Sequence, residues 1–183
     1  MITRVPKLHV FALLFLSLFA MSSASFAATH QAWLLINADL KDSVVSTDRN
    51  EKAQLENGGW KTNGTGALQS APEKGALPLH RLARAGTDAT DRLLEADESK
   101  IAGHVKNGFT DEGVLGFVSS AAKPGLVPVH HFTKDGKHFW LIDKSDQPAA
   151  EAKGWKAAGI SFWLWPVPAA TDAPKSGAPV KAK

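Results

Sequence analysis

Short apolar segments recur along this chain at a near-constant step, separated by polar turns. Ala32-Trp33-Leu34-Leu35-Ile36, Leu79-His80-Arg81-Leu82 and Val129-His130-His131-Phe132 each open a unit. A turn follows each, carrying Asp39, Gly86 or Asp135-Gly136. A second strand-like segment comes next: Ser43-Val44-Val45, Arg92-Leu93-Leu94 and His138-Phe139-Trp140-Leu141-Ile142. Asp-Gly between two apolar runs is a hairpin signal, because both central residues of the tight turn need positive φ. Each second segment ends at an aspartate, Asp48, Asp97 or Asp143, and the stretch after it predicts a short helix stopped by glycine. Asp48 with Glu51 resembles a capping pair ahead of Gly58-Gly59. Asp146 is the expected N-cap of the third helix, with Pro148 in its first turn and Gly154 as its stop. The closing strand is clearest in Ile160-Ser161-Phe162-Trp163-Leu164-Trp165.

Two markers fix the repeat. An aromatic residue followed four positions later by glycine occurs as Trp60–Gly64, Phe109–Gly113 and Trp155–Gly159, the aromatics lying 49 and 46 residues apart. Asp42, Asp91 and Lys137 each precede their aromatic by 18 residues. Self-similarity at such a period marks supersecondary units that bury a shared core. The repeats run about 31–71, 78–120 and 127–168, joined by the Pro- and Gly-bearing links 71–78 and 120–127. Strand, strand, short helix, strand in three copies predicts a mainly β, pseudo-threefold closed domain, β-trefoil-like, with a small three-sheet propeller-like arrangement as the alternative. Trp60, Phe109 and Trp155, with Gly64, Gly113 and Gly159, are then structural repeat positions.

The flanks differ in kind. Arg4 and Lys7 precede the apolar run Leu8–Met21, and small residues lead to Ser25-Phe26-Ala27. That is the layout of a secretory signal peptide over 1–27, and the run is shorter than the ~20 residues of a spanning helix. Export to the periplasm or the exterior is expected, with no membrane span after cleavage. Residues 169–183 are Ala, Pro, Lys and small polar residues with Val180 alone as a large apolar residue, the composition of a disordered tail. The domain is therefore 28–168.

Composition narrows the chemistry. The net charge of +3 falls to +1 without Arg4 and Lys7, so nothing supports nucleic-acid binding, which needs clustered positive charge. There is no cysteine, which excludes disulfides and thiol catalysis and leaves packing to stabilise the fold.

The third repeat, in Val127-Pro128-Val129-His130, Gly136-Lys137-His138-Phe139-Trp140, Gly154-Trp155 and Gly159-Ile160-Ser161-Phe162-Trp163, resembles a family of roughly 45-residue repeats of unknown function found in secreted bacterial proteins. The second repeat keeps Leu77-Pro78-Leu79-His80-Arg81-Leu82 and Glu112-Gly113-Val114, and the first keeps Asp42, Thr47-Asp48 and Gly59-Trp60. That family's repeats often accompany secreted cell-wall and lipid hydrolases, so the resemblance implies an accessory or binding role. This chain departs from the family pattern in having no tyrosine, with His80, His130, Trp140 or Trp163 at several of those positions.

Three groups of residues invite a chemical role. His130, His131 and His138 are near one another and, with Asp135 or Asp143, have the donor types of a Zn²⁺ or Cu²⁺ site. The repeat instead assigns them to packing and hydrogen bonding, and no metal or other cofactor is expected. Asp111-Glu112, with Asp91, Glu95 or Asp97, offer the carboxylates of a glycosidase. Glu112, however, matches Asn63 and Ala158 in the sister copies, which favours a turn role. There is no Gly-x-Ser-x-Gly elbow and no phosphate-loop pattern after Gly64-Thr65-Gly66, so a non-catalytic domain is expected. Six tryptophans remain, and Trp163 and Trp165 share a strand face. Trp140, Trp163, His130, His131 and His138, where the copies disagree, are the candidate ligand-binding residues. The expected function is binding of an envelope or extracellular glycan. The alternative is a protein-interaction or enzyme-inhibitor module presenting residues 85–90 and 110–112 to a secreted protein.

Overall fold

The order strand, strand, helix, strand is present three times. A computed structural model describes residues 28–86 and 90–167; the leader over 1–27, the tail over 169–183 and positions 87–89 of the 85–90 loop lie outside the described residues. The first repeat contains β1 (Thr29–Ile36), β2 (Ser43–Ser46), α1 (Arg49–Asn57) and β3 (Lys61–Gln69). The second contains β4 (Ala76–Arg84), β5 (Asp91–Glu95), α2 (Glu98–Lys106) and β6 (Thr110–Ser119). The third contains β7 (Val127–Lys134), β8 (Lys137–Leu141), α3 (Gln147–Ala152) and β9 (Lys156–Leu164), with a 3₁₀ turn over Lys144–Asp146 before α3. Residues 110–112, expected in a loop, lie at the start of strand β6.

Within each repeat the opening strand is central: β1 pairs with β2 and β3, β4 with β5 and β6, β7 with β8 and β9, all antiparallel. The apolar residues of these strands need cover on two sides. Pro78 and Pro128 lie in β4 and β7 beyond the reach of the β5 and β8 ladders, so a missing N–H leaves no bond unmade on that side. Each helix is announced by its aspartate, whose carboxylate accepts from an N–H two residues on: Asp48 from Asn50, Asp97 from Ser99, Asp143 from Ser145. The expected cap at Asp146 is displaced. That side chain makes no cap bond and instead accepts from Asn63 and Lys61, each in β3. Glu51 likewise does not close a capping box but accepts from Ser46 Oγ and from Arg81 of the second repeat.

The three-stranded units join into one nine-stranded sheet through their closing strands, one residue pair at a time. Gln69 pairs with Phe117, Ser119 with Trp163, and Trp165 with Ala67. The closure expected of the domain is not found in its sheet. The strand path runs β2-β1-β3-β6-β9-β7-β8 with β4 and β5 branching from β6, and the sheet is open. A single pair is too short a seam to continue a ladder from one repeat into the next. The fold is a mainly β domain with short helices.

One core fills the interior between the repeats. It takes Leu34, Ile36, Leu68, Leu79, Leu82, Val118, Val129, Phe132, Phe139, Trp140, Phe162 and Leu164, together with Phe109 and Trp155. Trp60 departs from its sister aromatics: it is half-buried and packs with Leu55 on a separate small cluster of Trp33, Leu35 and Val44. Side chains tie the repeats where backbone pairing does not. Arg92 of the second repeat pairs with Asp42 of the first. The backbone N–H of His138 donates to Asp91 at 2.9 Å, and the Trp155 indole N–H donates to the carbonyl of Leu40 at 2.7 Å.

In every repeat the ladder between central and closing strand slips, between Leu34 and Leu35, Leu79 and His80, and Val129 and His130, with a second slip between His80 and Leu82 and between His131 and Phe132. In the first repeat Leu34 pairs with Gly64 and Leu35 with Thr62, so Asn63 is the bulged residue, unpaired and free to aim its side chain outward from the ladder. Asn63 reaches the third repeat, accepting from the N–H groups of Ile142 (2.6 Å) and Asp143 (2.9 Å) and donating to Asp143 O (3.0 Å) and Asp146 Oδ2 (2.9 Å).

Candidate functional site

Three of the five candidate residues come together in one concavity. His130, His131 and Trp163 line a groove of about 430 Å³ on the third repeat, with Lys144, Gln147 and Ile160 completing its working surface. Strand β7 supplies the histidines and β9 supplies Ile160 and Trp163. His130 pairs with Ile160, and Pro128 with Trp163. Lys144 and Gln147 arrive from the 3₁₀ turn and the start of α3. Trp163 is half-buried and Ile160 is exposed, so the groove offers an aromatic and an aliphatic surface beside a cation and an amide.

The other two candidates stand behind this groove. Trp140 is 1 % exposed and has no face available to a ligand. Its indole stacks on the His131 ring at 4.1 Å and 11°, and its N–H donates to Arg92 O at 3.3 Å. His138 shares a 2.9 Å hydrogen bond with His131, Nδ1 to Nε2, and the two rings stack at 5.1 Å. Trp140 and His138 therefore act on the groove only by holding His131. Burial, reinforced by the neighbouring His138, pushes His131 down to about 4. Burial also lowers His138, against the pull of Asp91. Burial favours the neutral form of both rings, and the bond between them needs one nitrogen to donate and an unprotonated one to accept. His130 is lowered too, by burial and then by the Lys144 ammonium.

The metal and carboxylate arrangements weighed from the sequence are not assembled. Among the described residues no group of three or more His, Cys, Asp or Glu side chains could hold a metal ion; His131 and His138 spend their facing nitrogens on each other. The acids are distributed among separate partners. Glu112 accepts from Arg81, Asp111 from His80 and Gly113, Asp91 from Arg84, and Glu95 from His104 and the Asp97 N–H. No carboxylate lines the aromatic groove.

Sequence reasoning missed Lys144, Gln147 and Ile160. Two of them lie outside the strands on which the repeat pattern is written. The available signal was the spacing to the Asp143 cap, which places both at the top of the helix beside β7. Among the described residues no helix is long and apolar enough to cross a membrane.

No curated protein and no solved structure matches this chain. Residues 31–165, spanning all three repeats and the whole groove, match the family described as Domain of unknown function (DUF5648), and the chain belongs to that family.

Proposed function

We propose that this protein is exported and binds an envelope or extracellular glycan in the groove of the third repeat, without catalysing a reaction there. The carrying observation is the placement of the half-buried Trp163 beside His130 and Ile160, with Lys144 and Gln147 at the same groove. A sugar ring presents an apolar C–H face and a polar hydroxyl edge. An indole supplies the first surface, because aromatic rings combine large contact area with a fixed shape; the amide, imidazole and ammonium supply partners for the second. The absence of any carboxylate among the groove residues supports binding over glycoside hydrolysis, which uses two. The leader pattern of residues 1–27 supports export.

The same reading includes the architecture. The three contacts between closing strands run in a cycle, first repeat to second, second to third and third to first. This supports a pseudo-threefold arrangement of three small sheets.

Retention on purified peptidoglycan, together with a glycan array, tests the function. Binding is expected for the wild type and lost in Trp163→Ala while the melting temperature is kept. Retention that survives both Trp163→Ala and His130→Ala would refute the groove. No glycan retained at all, with a secreted protease captured and inhibited instead, would favour the inhibitor module.

A further inference from the structure

A second cavity, of about 500 Å³, is walled by turns of the first and third repeats. Asp39, Leu40 and Lys41 come from the β1–β2 turn, Lys134, Asp135 and Lys137 from the β7–β8 hairpin, and Lys153 and Trp155 from the passage between α3 and β9. Four ammonium groups thus face two carboxylates. The lysines are not neutralised by their contacts. Lys153 Nζ donates to the carbonyl oxygen of Asp39 at 2.5 Å and Lys134 Nζ to that of Lys153 at 2.7 Å, both uncharged acceptors. Lys41 meets the Asp39 carboxylate only at 3.9 Å, with both side chains largely in water.

Lys137 is the sharper anomaly. It is half-buried, and although its backbone pairs with Lys134, its ammonium has no hydrogen-bond or ion-pair partner among the described residues. In the sister repeats its position holds Asp42 and Asp91, each 3 % exposed and each paired with an arginine, Arg92 and Arg84. The third repeat has reversed the charge, and among the described residues no carboxylate pairs with this ammonium. Withdrawing an ammonium from water without a partner is unfavourable, and an anion in the cavity would remove that penalty. The backbone points to the same place. Leu40 and Asp135 are the two non-glycine residues with positive φ among the described residues, at 54° and 50°, and both line this cavity. Asp135 with Gly136 is an ordinary hairpin turn. Leu40 has no such excuse: leucine in the left-handed region is strained and is held there by structure around it, here by the Trp155 indole on its carbonyl.

We propose that this cavity is a binding site for a small multivalent oxyanion, a phosphoryl or sulfuryl group or a molecule bearing one. Lysines acting as point charges from several directions suit a tetrahedral anion better than a planar carboxylate, which favours the arginine fork. The site is independent of the aromatic groove.

Calorimetric titration of the full-length mature protein with inorganic pyrophosphate, sulfate and citrate at low ionic strength tests the proposal. One-to-one saturable binding is expected for pyrophosphate, weaker for citrate, and falling as salt is raised. Lys137→Gln is expected to weaken it about tenfold or more, and Lys41→Gln, at an exposed position that leaves folding intact, severalfold. Lys100→Gln on α2, away from the cavity, is expected to leave it unchanged. Absence of saturable binding, or equal affinity in Lys41→Gln, Lys137→Gln and Lys100→Gln, would overturn it.

Discussion

Alanine placed at Gly64, Gly113 and Gly159, three copies of one repeat position, meets two different obstacles. At Gly64 a methyl group would sit 2.5 Å from both Cβ and Cγ2 of Ile142, about 1 Å inside ordinary contact. Ile142 cannot simply swing aside, because its N–H is held by Asn63 at 2.6 Å, one residue before the glycine. Overpacking of this kind costs about 1–3 kcal/mol. At Gly113 and Gly159 nothing lies within 4 Å of the added methyl, but φ is +100° and +109°. There the cost is conformational, about 1–2 kcal/mol. Totals of similar size therefore conceal separate origins, which a double-mutant cycle resolves. In an Ile142→Ala background the Cγ2 and Cδ1 contacts disappear and a lone Cβ is free to shift, so Gly64→Ala should become less costly in part, with a coupling toward the lower end of about 0.5–3 kcal/mol. Gly159→Ala should cost the same in either background. Urea unfolding followed by tryptophan fluorescence gives each value, and each kcal/mol should lower the melting temperature by about 4 °C for a domain of this size. Strict additivity of Gly64→Ala with Ile142→Ala would refute the steric account. A neutral Gly159→Ala would refute the conformational one.

Asn63→Ala should destabilise by about 2–3 kcal/mol, since it strips partners from two N–H groups and a carbonyl of the third repeat; a urea midpoint within error of wild type would contradict this. Asn63→Asp should be no better at pH 7, because a carboxylate would face the Asp143 carbonyl and the Asp146 carboxylate. Two buried groups should set opposing pH slopes. His131, pushed down to about 4 by burial, contributes stability that is present above its unfolded value near 6.5 and is lost as pH falls toward 4. Asp42, pushed up to about 6 by burial against the pull of Arg92, contributes in the reverse sense, its share growing as pH falls from 6 toward 3.8. Stability measured between pH 6 and 4 should therefore be flatter in the wild type than in Asp42→Asn, which uncovers a loss of about 2–3 kcal/mol. His131→Gln should tilt the profile the other way, and an unchanged slope in that variant would show that His131 does not titrate as described.

The order of elements in each repeat was legible because it is written in local chemistry: Asp-Gly at the third hairpin, an aspartate at 48, 97 and 143 closing each second strand, glycine stops at 58–59 and 154. Each acts within a few residues of its own position. The joints between repeats were not legible. Asp146 had the look of an N-cap, yet its carboxylate is claimed by Asn63 and Lys61 from the opposite end of the chain, a competition invisible without the third dimension. Closure failed for a related reason, since strand patterns report that a strand exists but not how many pairs it shares with its neighbour. Of the positions where the copies disagree, His130, His131 and Trp163 line one groove. Trp140 faces inward instead, because a position that differs between copies can still belong to the core. Trp60 shows the converse, a repeated aromatic excluded from the main core because α1 brings Leu55 to the other side of the sheet.

The joints between repeats each use a different lock. Arg92 meets Asp42 between the first and second repeats, Asp91 meets the His138 backbone between the second and third, and Asn63 and Trp155 tie the third to the first. The copies are consequently no longer interchangeable parts. Exchanging the second and third would set Asp42 beside His138 and give the lysine at 137 a neighbour it does not have now, while three copies of the best-preserved repeat would contain no Asn63 to close the circuit. The repeats form a sentence with fixed word order, and a shuffled version should be translated intact yet fail to assemble.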